Sequence, residues 1–188
     1  PVEVDYMLDK GVQRVSMLVD PSAFTVGMAN RVQTALEASG VLVERVQIEP
    51  GATNYGAAIG AALASSPDLI YVSTYYPEGS VIARGLAASG STAQRFMGLA
   101  NVDPAFVTQA GLEVARTCVF SGVPEAAQLP TAASFVTAYE DRYNKEPGVW
   151  GVFAYDSLQL LAVAMDEVDS TAYEPVLGEL RQTSGYVG

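Results

Sequence analysis

Short apolar runs alternate with amphipathic stretches along the first two thirds of the chain, so strands and helices are expected in turn. A helix is predicted over residues 2–10 and stops at Gly11. The run VSMLV over 15–19 reads as a strand, and 24–39 as a helix with Met28, Val32, Ala35 and Leu36 at helical spacing before Gly40. A strand over 41–48 is broken by Pro50 and Gly51, and an alanine-rich helix follows over 55–64. Next come a strand starting at Leu69, a helix over 78–88, a short strand over 96–99, a short helix over 104–109 and a last strand over 114–122. This order predicts an α/β fold with a doubly wound parallel sheet. Beyond Pro124 the link PEAAQLP leads into helices only, over 131–144, 149–168 and 173–181. The boundary therefore divides the chain into an α/β portion, 1–122, and a helical portion, 123–188.

Within this pattern, PDLIYVSTYYPEG over 67–79 is the most telling segment. Leu69, Ile70, Tyr71 and Val72 form a continuous apolar run, which suits an interior strand covered on both faces. It ends in Tyr75 and Tyr76. In open α/β sheets ligands lie beyond the carboxyl ends of the strands, so these rings are candidate binding groups. The competing reading is that they cover a helix or a loop. In the helical portion, Phe135, Tyr139 and Tyr143 recur every four residues on one face, and Leu158, Leu161, Ala162 and Met165 form a stripe. These helices have no strand of their own to cover, which predicts a partner surface outside the chain.

Composition narrows the chemistry. Of 188 residues, 49% are hydrophobic and 16% charged, enough for a real core, and the formal charge of −11 argues against a nucleic-acid surface. Histidine is absent, which removes Ser/His/Asp and Cys/His nucleophilic arrangements and imidazole metal sites. The single cysteine, Cys118, has no internal disulfide partner and reads as a small buried hydrophobe. No apolar stretch approaches the ~20 residues needed to cross a bilayer, so no direct membrane insertion is expected. The opening PVEVDYMLDKG is not a signal peptide, as for a mature secreted protein or a fragment. DPSAFTVG after the first strand lacks the G-x-G-x-x-G turn, and the phosphate-loop signature is missing too, so a nucleotide-dependent enzyme is not expected.

The ordered strings VSMLVDPSAFTVGM, IEPGATNYGAAI, SSPDLIYVSTYYPEG, RFMGLANVDPAF, SFVTAYEDRYNKEP and FAYDSLQLLAVAM together resemble the type I periplasmic binding proteins. The branch they resemble is that of the leucine/isoleucine/valine-binding proteins of ABC transporters. The resemblance implies two α/β lobes closing on a small molecule, with residues 1 to about 122 as the second lobe and the helical segment returning to the first. It implies that the first half of the first lobe is absent and that the chain is a fragment. It also implies an extracytoplasmic solute-binding protein, periplasmic or secreted, with a small-molecule ligand, a membrane ABC permease as partner, no cofactor and no catalysis. The alternative is a ligand-sensing domain of a receptor or regulator with the same fold.

By the same resemblance, Tyr76 matches the cleft tyrosine, and side-chain alternation along an extended chain turns Tyr75 the other way. Phe24 falls where amino-acid binders often carry a tyrosine; as a plain residue it is equally a staple for the helix that follows. The acid expected to pair with a ligand ammonium aligns with Ala100. Asn101 or Asp103 is then a compensating polar group, although Asp103 before Pro104 also reads as a helix N-cap. Losing such a carboxylate removes a charge-assisted bond of ~1.5–3 kcal/mol, which disfavours a simple α-amino acid and leaves an aromatic acid, a short amide or another small carboxylate open. Trp150 either walls the ligand or plugs the interface between lobes, and Asp156 has a structural role.

Overall fold

The structure is a computed structural model that describes residues 2–186. It divides into two compact units, 1–122 and 123–188. In the first unit, helix α1 (Val2–Asp9) precedes strand β1 (Arg14–Val19), helix α2 (Ala23–Ala38) and strand β2 (Leu42–Gln47). Helix α3 (Gly56–Leu63), strand β3 (Leu69–Ser73), helix α4 (Tyr76–Ala88) and strand β4 (Gln94–Met97) follow. Helices α5 (Pro104–Ala110) and α6 (Leu112–Ala115) lead to strand β5 (Cys118–Phe120). The five strands are all parallel in the order β2-β1-β3-β4-β5. The expected doubly wound sheet is therefore the fold observed.

Strand alternation sorts the core into two layers. Val15, Met17 and Val19 of β1, with Leu69 and Tyr71 of β3, pack against Met7 of α1 and Val32 and Leu36 of α2. Leu18, Ile70 and Val72 face the opposite side and meet Ile59 of α3, Ile82 and Leu86 of α4 and Phe106 of α5. All five residues of β3 are buried, which is why its apolar run is continuous.

One polar pair enters this core: the Tyr71 hydroxyl donates to Glu3 Oε2 at 3.1 Å, while Glu3 Oε1 has no partner. Burial, then the neighbouring Glu3 charge, pushes the Tyr71 phenol well above its ordinary range. Tyr71→Phe therefore strips a buried carboxyl of its donor and lowers stability by about 1–3 kcal/mol. Glu3→Leu combined with Tyr71→Phe costs less than Tyr71→Phe alone, which urea unfolding of the three variants checks.

Three sequence expectations are corrected. The run at 114–122 is not one strand: Gly111 at φ 86° redirects the chain, Leu112–Ala115 close a helical turn, and only Cys118–Phe120 pair with β4. Cys118 is half-buried there rather than fully enclosed, and burial pushes its thiol up. Helix α4 begins at Tyr76 rather than Glu78, because Pro77 has no N–H to donate and sits in the first turn, where none is needed.

In the second unit, helix α7 (Ala133–Tyr143) is followed by α8 (Gly151–Glu167) and α9 (Tyr173–Gln182). A small cluster of Ala126, Ala132 and Val152 with Phe135 and Phe153 holds α7 to α8. The four-residue aromatic ladder on α7 forms as expected, with ring centroids 5.8 Å apart for Phe135–Tyr139 and 4.6 Å for Tyr139–Tyr143. Tyr155 joins it from α8 at 5.0 Å from Phe135, lining a shallow groove of about 570 Å³.

Candidate functional site

Strand order changes direction between β1 and β3, since β2 lies on one side of β1 and β3 on the other. A parallel sheet of this kind opens a crevice at the carboxyl ends of the two strands flanking that switch. Asp20 follows β1, Thr74 and Tyr75 follow β3, and a short 3-10 turn, Leu99–Asn101, follows β4. The rim is therefore built from three loops at one edge of the sheet.

The loop after β1 is shaped by Asp20. Its Oδ1 accepts from the Ser22 N–H at 2.8 Å and from the Thr25 hydroxyl at 2.7 Å, which turns the chain into α2. Ser73 Oγ donates to the Thr25 carbonyl at 2.9 Å, tying that turn to β3. Phe24 is thereby held on the first turn of α2, where 45% of it remains exposed. Asp20, Thr25 and Ser73 escaped the sequence reading. The signal was there in part, since Asp20-Pro21-Ser22 before an apolar helix is a capping signature.

The loop after β3 gives the two tyrosines different settings. Tyr75 is extended (φ −76°, ψ 164°) and 44% exposed, with its ring 6.5 Å from that of Phe24. Tyr76 is already helical and packs half-buried against the core layer that contains Ile82 and Phe106. Alternation along a strand ends where the strand ends, at Ser73, so it does not select between them.

The loop after β4 resolves the three candidates there. Ala100 lies half-buried in the 3-10 turn and offers only a methyl group. Asn101 is fully buried and points into the protein: its Nδ2 donates to the carbonyls of Val72 (3.1 Å), Thr74 (2.9 Å) and Gly98 (3.2 Å). It fastens the ends of β3 and β4 together. Its Oδ1 has no hydrogen-bond partner and lies against Gly79, where any Cβ would collide with it. Asp103 caps α5, accepting from the Ala105 N–H at 2.7 Å. Trp150 belongs to the second unit, 41% exposed at the start of α8 with its ring 6.3 Å from Phe153. The structure thus joins Phe24 with Tyr75, sets Ala100 on the same edge of the sheet, and gives Asn101 and Asp103 structural contacts. Among the described residues no group of acidic, cysteine or histidine side chains is arranged to hold a metal ion.

The family model described as "Periplasmic binding protein" matches residues 2–188. The chain belongs to this periplasmic binding protein family. A Leu/Ile/Val/Thr-binding protein of Salmonella typhimurium is 25% identical over 92% of this chain and 47% of its own length. The Leu/Ile/Val-binding protein BraC3 of Rhizobium johnstonii is 24% identical, over 84% of this chain and 43% of its own length. The crystal structure of a leucine-binding protein, LivK, of Thermotoga maritima superposes with a TM-score of 0.83 at 26% identity, covering 97% of this chain and 53% of that one. The chain spans about half the length of the relatives it matches. By its description the matched family is one of binding proteins.

Proposed function

We propose that the protein is the extracytoplasmic solute-binding component of an ABC importer, and that the rim bearing Phe24 and Tyr75 is one wall of its ligand cleft. The observation that carries this reading is the pair of partly exposed rings at the switch point of a parallel sheet, in a chain of the periplasmic binding protein family. A second α/β lobe of the whole protein supplies the opposite wall, in keeping with relatives about twice as long. The ligand is a small molecule, the permease is the membrane partner, and residues 1–122 act as the second lobe. Closure requires only that the ligand bind the closed state better than the open one.

Thermal-shift screening of the full-length gene product against a library of small solutes tests the proposal, because a ligand bound only by the native state raises the melting temperature. At least one solute is expected to raise it in a dose-dependent way. A library of amino acids, aliphatic and aromatic acids, amides and sugars without effect overturns the reading.

A further inference from the structure

Beneath the two rings lies a set of buried polar groups that stability alone does not call for. Ser73 closes the buried strand β3 and is itself only 3% exposed. A hydroxyl in such a place is costly unless it is bonded. Its Oγ donates to the Thr25 carbonyl, yet that carbonyl lies in α2 and accepts the helical N–H four residues on in any case. The bond therefore rescues no orphan acceptor and adds little net stability. What it adds is a fixed distance between two loops.

Those loops carry the rings. Thr25 directly follows Phe24, and Ser73 stands two residues before Tyr75. The Ser73 carbonyl also accepts the Asp20 N–H at 3.2 Å, so one residue holds both ends of the segment 20–25. Thr25 closes that segment from within, its hydroxyl donating to Asp20 Oδ1 at 2.7 Å. Thr74, between Ser73 and Tyr75, is fixed from the other side by Asn101 Nδ2 at 2.9 Å. The rings themselves are partly exposed, with little protein around them to hold their places. Their 6.5 Å centroid separation is set by the backbone below them. On the solute-binding reading above, we propose that Ser73 is a positioning residue: through Thr25 it sets the spacing of Phe24 and Tyr75 before a solute arrives, so that binding does not have to order them.

Calorimetry of the full-length gene product, with the library solute that raises its melting temperature most, tests this. Ser73→Ala removes only the hydroxyl and is expected to weaken binding by roughly threefold to tenfold, the effect of ordering a side chain at the moment of binding. Ser16→Ala deletes an equally buried hydroxyl on β1, bonded to Ser65 Oγ at 3.2 Å away from the rim loops. It should leave affinity within about twofold of wild type. In a Phe24→Ala background Ser73→Ala should add less than about twofold, since the ring it places is gone. Should Ser73→Ala not melt cooperatively, Thr25→Val, which opens the same segment at its inner bond, decides in its place. Wild-type affinity in the deciding variant overturns the positioning role and leaves the solute-binding reading standing. So does a loss that Ser16→Ala, or the same substitution in the Phe24→Ala background, reproduces in full. A wild-type protein that binds nothing in the library removes both.

Discussion

Asn101→Asp is expected to destabilise the protein by about 3–5 kcal/mol at neutral pH, the cost of an uncompensated buried charge. Aspartate has the shape of asparagine but no N–H, so a carboxylate would face the carbonyls of Val72, Thr74 and Gly98 where Nδ2 now donates. The site is fully buried, so water cannot relieve the repulsion. Desolvation and those dipoles raise the folded-state pKa of the new carboxyl above its unfolded value of about 3.9. A raised pKa means that the folded state holds its proton longer than the unfolded one. The variant therefore recovers stability below about pH 4 and loses it as the pH rises. Urea unfolding of wild type and variant at pH 4 and pH 7, followed by circular dichroism, should show a deficit that is clearly smaller at pH 4. Equal deficits at the two values would contradict the geometry.

Gly79→Ala is expected to cost about 3 kcal/mol although it adds one methyl group within a helix, where alanine normally stabilises. A Cβ on Gly79 would collide with Asn101 Oδ1, and would also lie 2.8 Å from Asn101 Cγ and 3.1 Å from Thr74 Oγ1. Asn101 would have to swing away and release its three carbonyls. Thr74 O suffers most, since Val72 O and Gly98 O keep backbone donors from Gly98 and Asn101. The two residues are thus coupled. In an Asn101→Ala background the obstacle is gone, and Gly79→Ala should cost less than about 1 kcal/mol. A double-mutant cycle with additive losses would show that the clash is not the cause.

The continuous apolar runs of β1 and β3 and the helical spacing of α2 were readable because they obey local rules of burial and period. The tyrosines were not, because the choice between Tyr75 and Tyr76 depends on where β3 stops and where Pro77 lets α4 begin. Asn101 misled for a different reason: its partners at Val72 and Thr74 are 29 and 27 residues away, and no local pattern distinguishes a polar residue bound to a ligand from one bound to distant carbonyls. The Asp103 cap was readable from its place before Pro104. The Asp20–Thr25–Ser73 network combines a local cap with a contact across 48 residues, and only its first half leaves a trace in the sequence.

Whether the Phe24–Tyr75 rim is a ligand wall is decided by calorimetric affinity for a solute that stabilises the full-length gene product. Wild type should be compared with Tyr75→Ala and Tyr76→Ala. Loss of the Tyr75 ring should weaken binding by about 1–3 kcal/mol, a stacking contact plus a hydrogen bond, with Tyr76→Ala acting mainly on stability through the core layer that Tyr76 packs against. Affinity unchanged by Tyr75→Ala, in a variant that melts cooperatively, would contradict the claim.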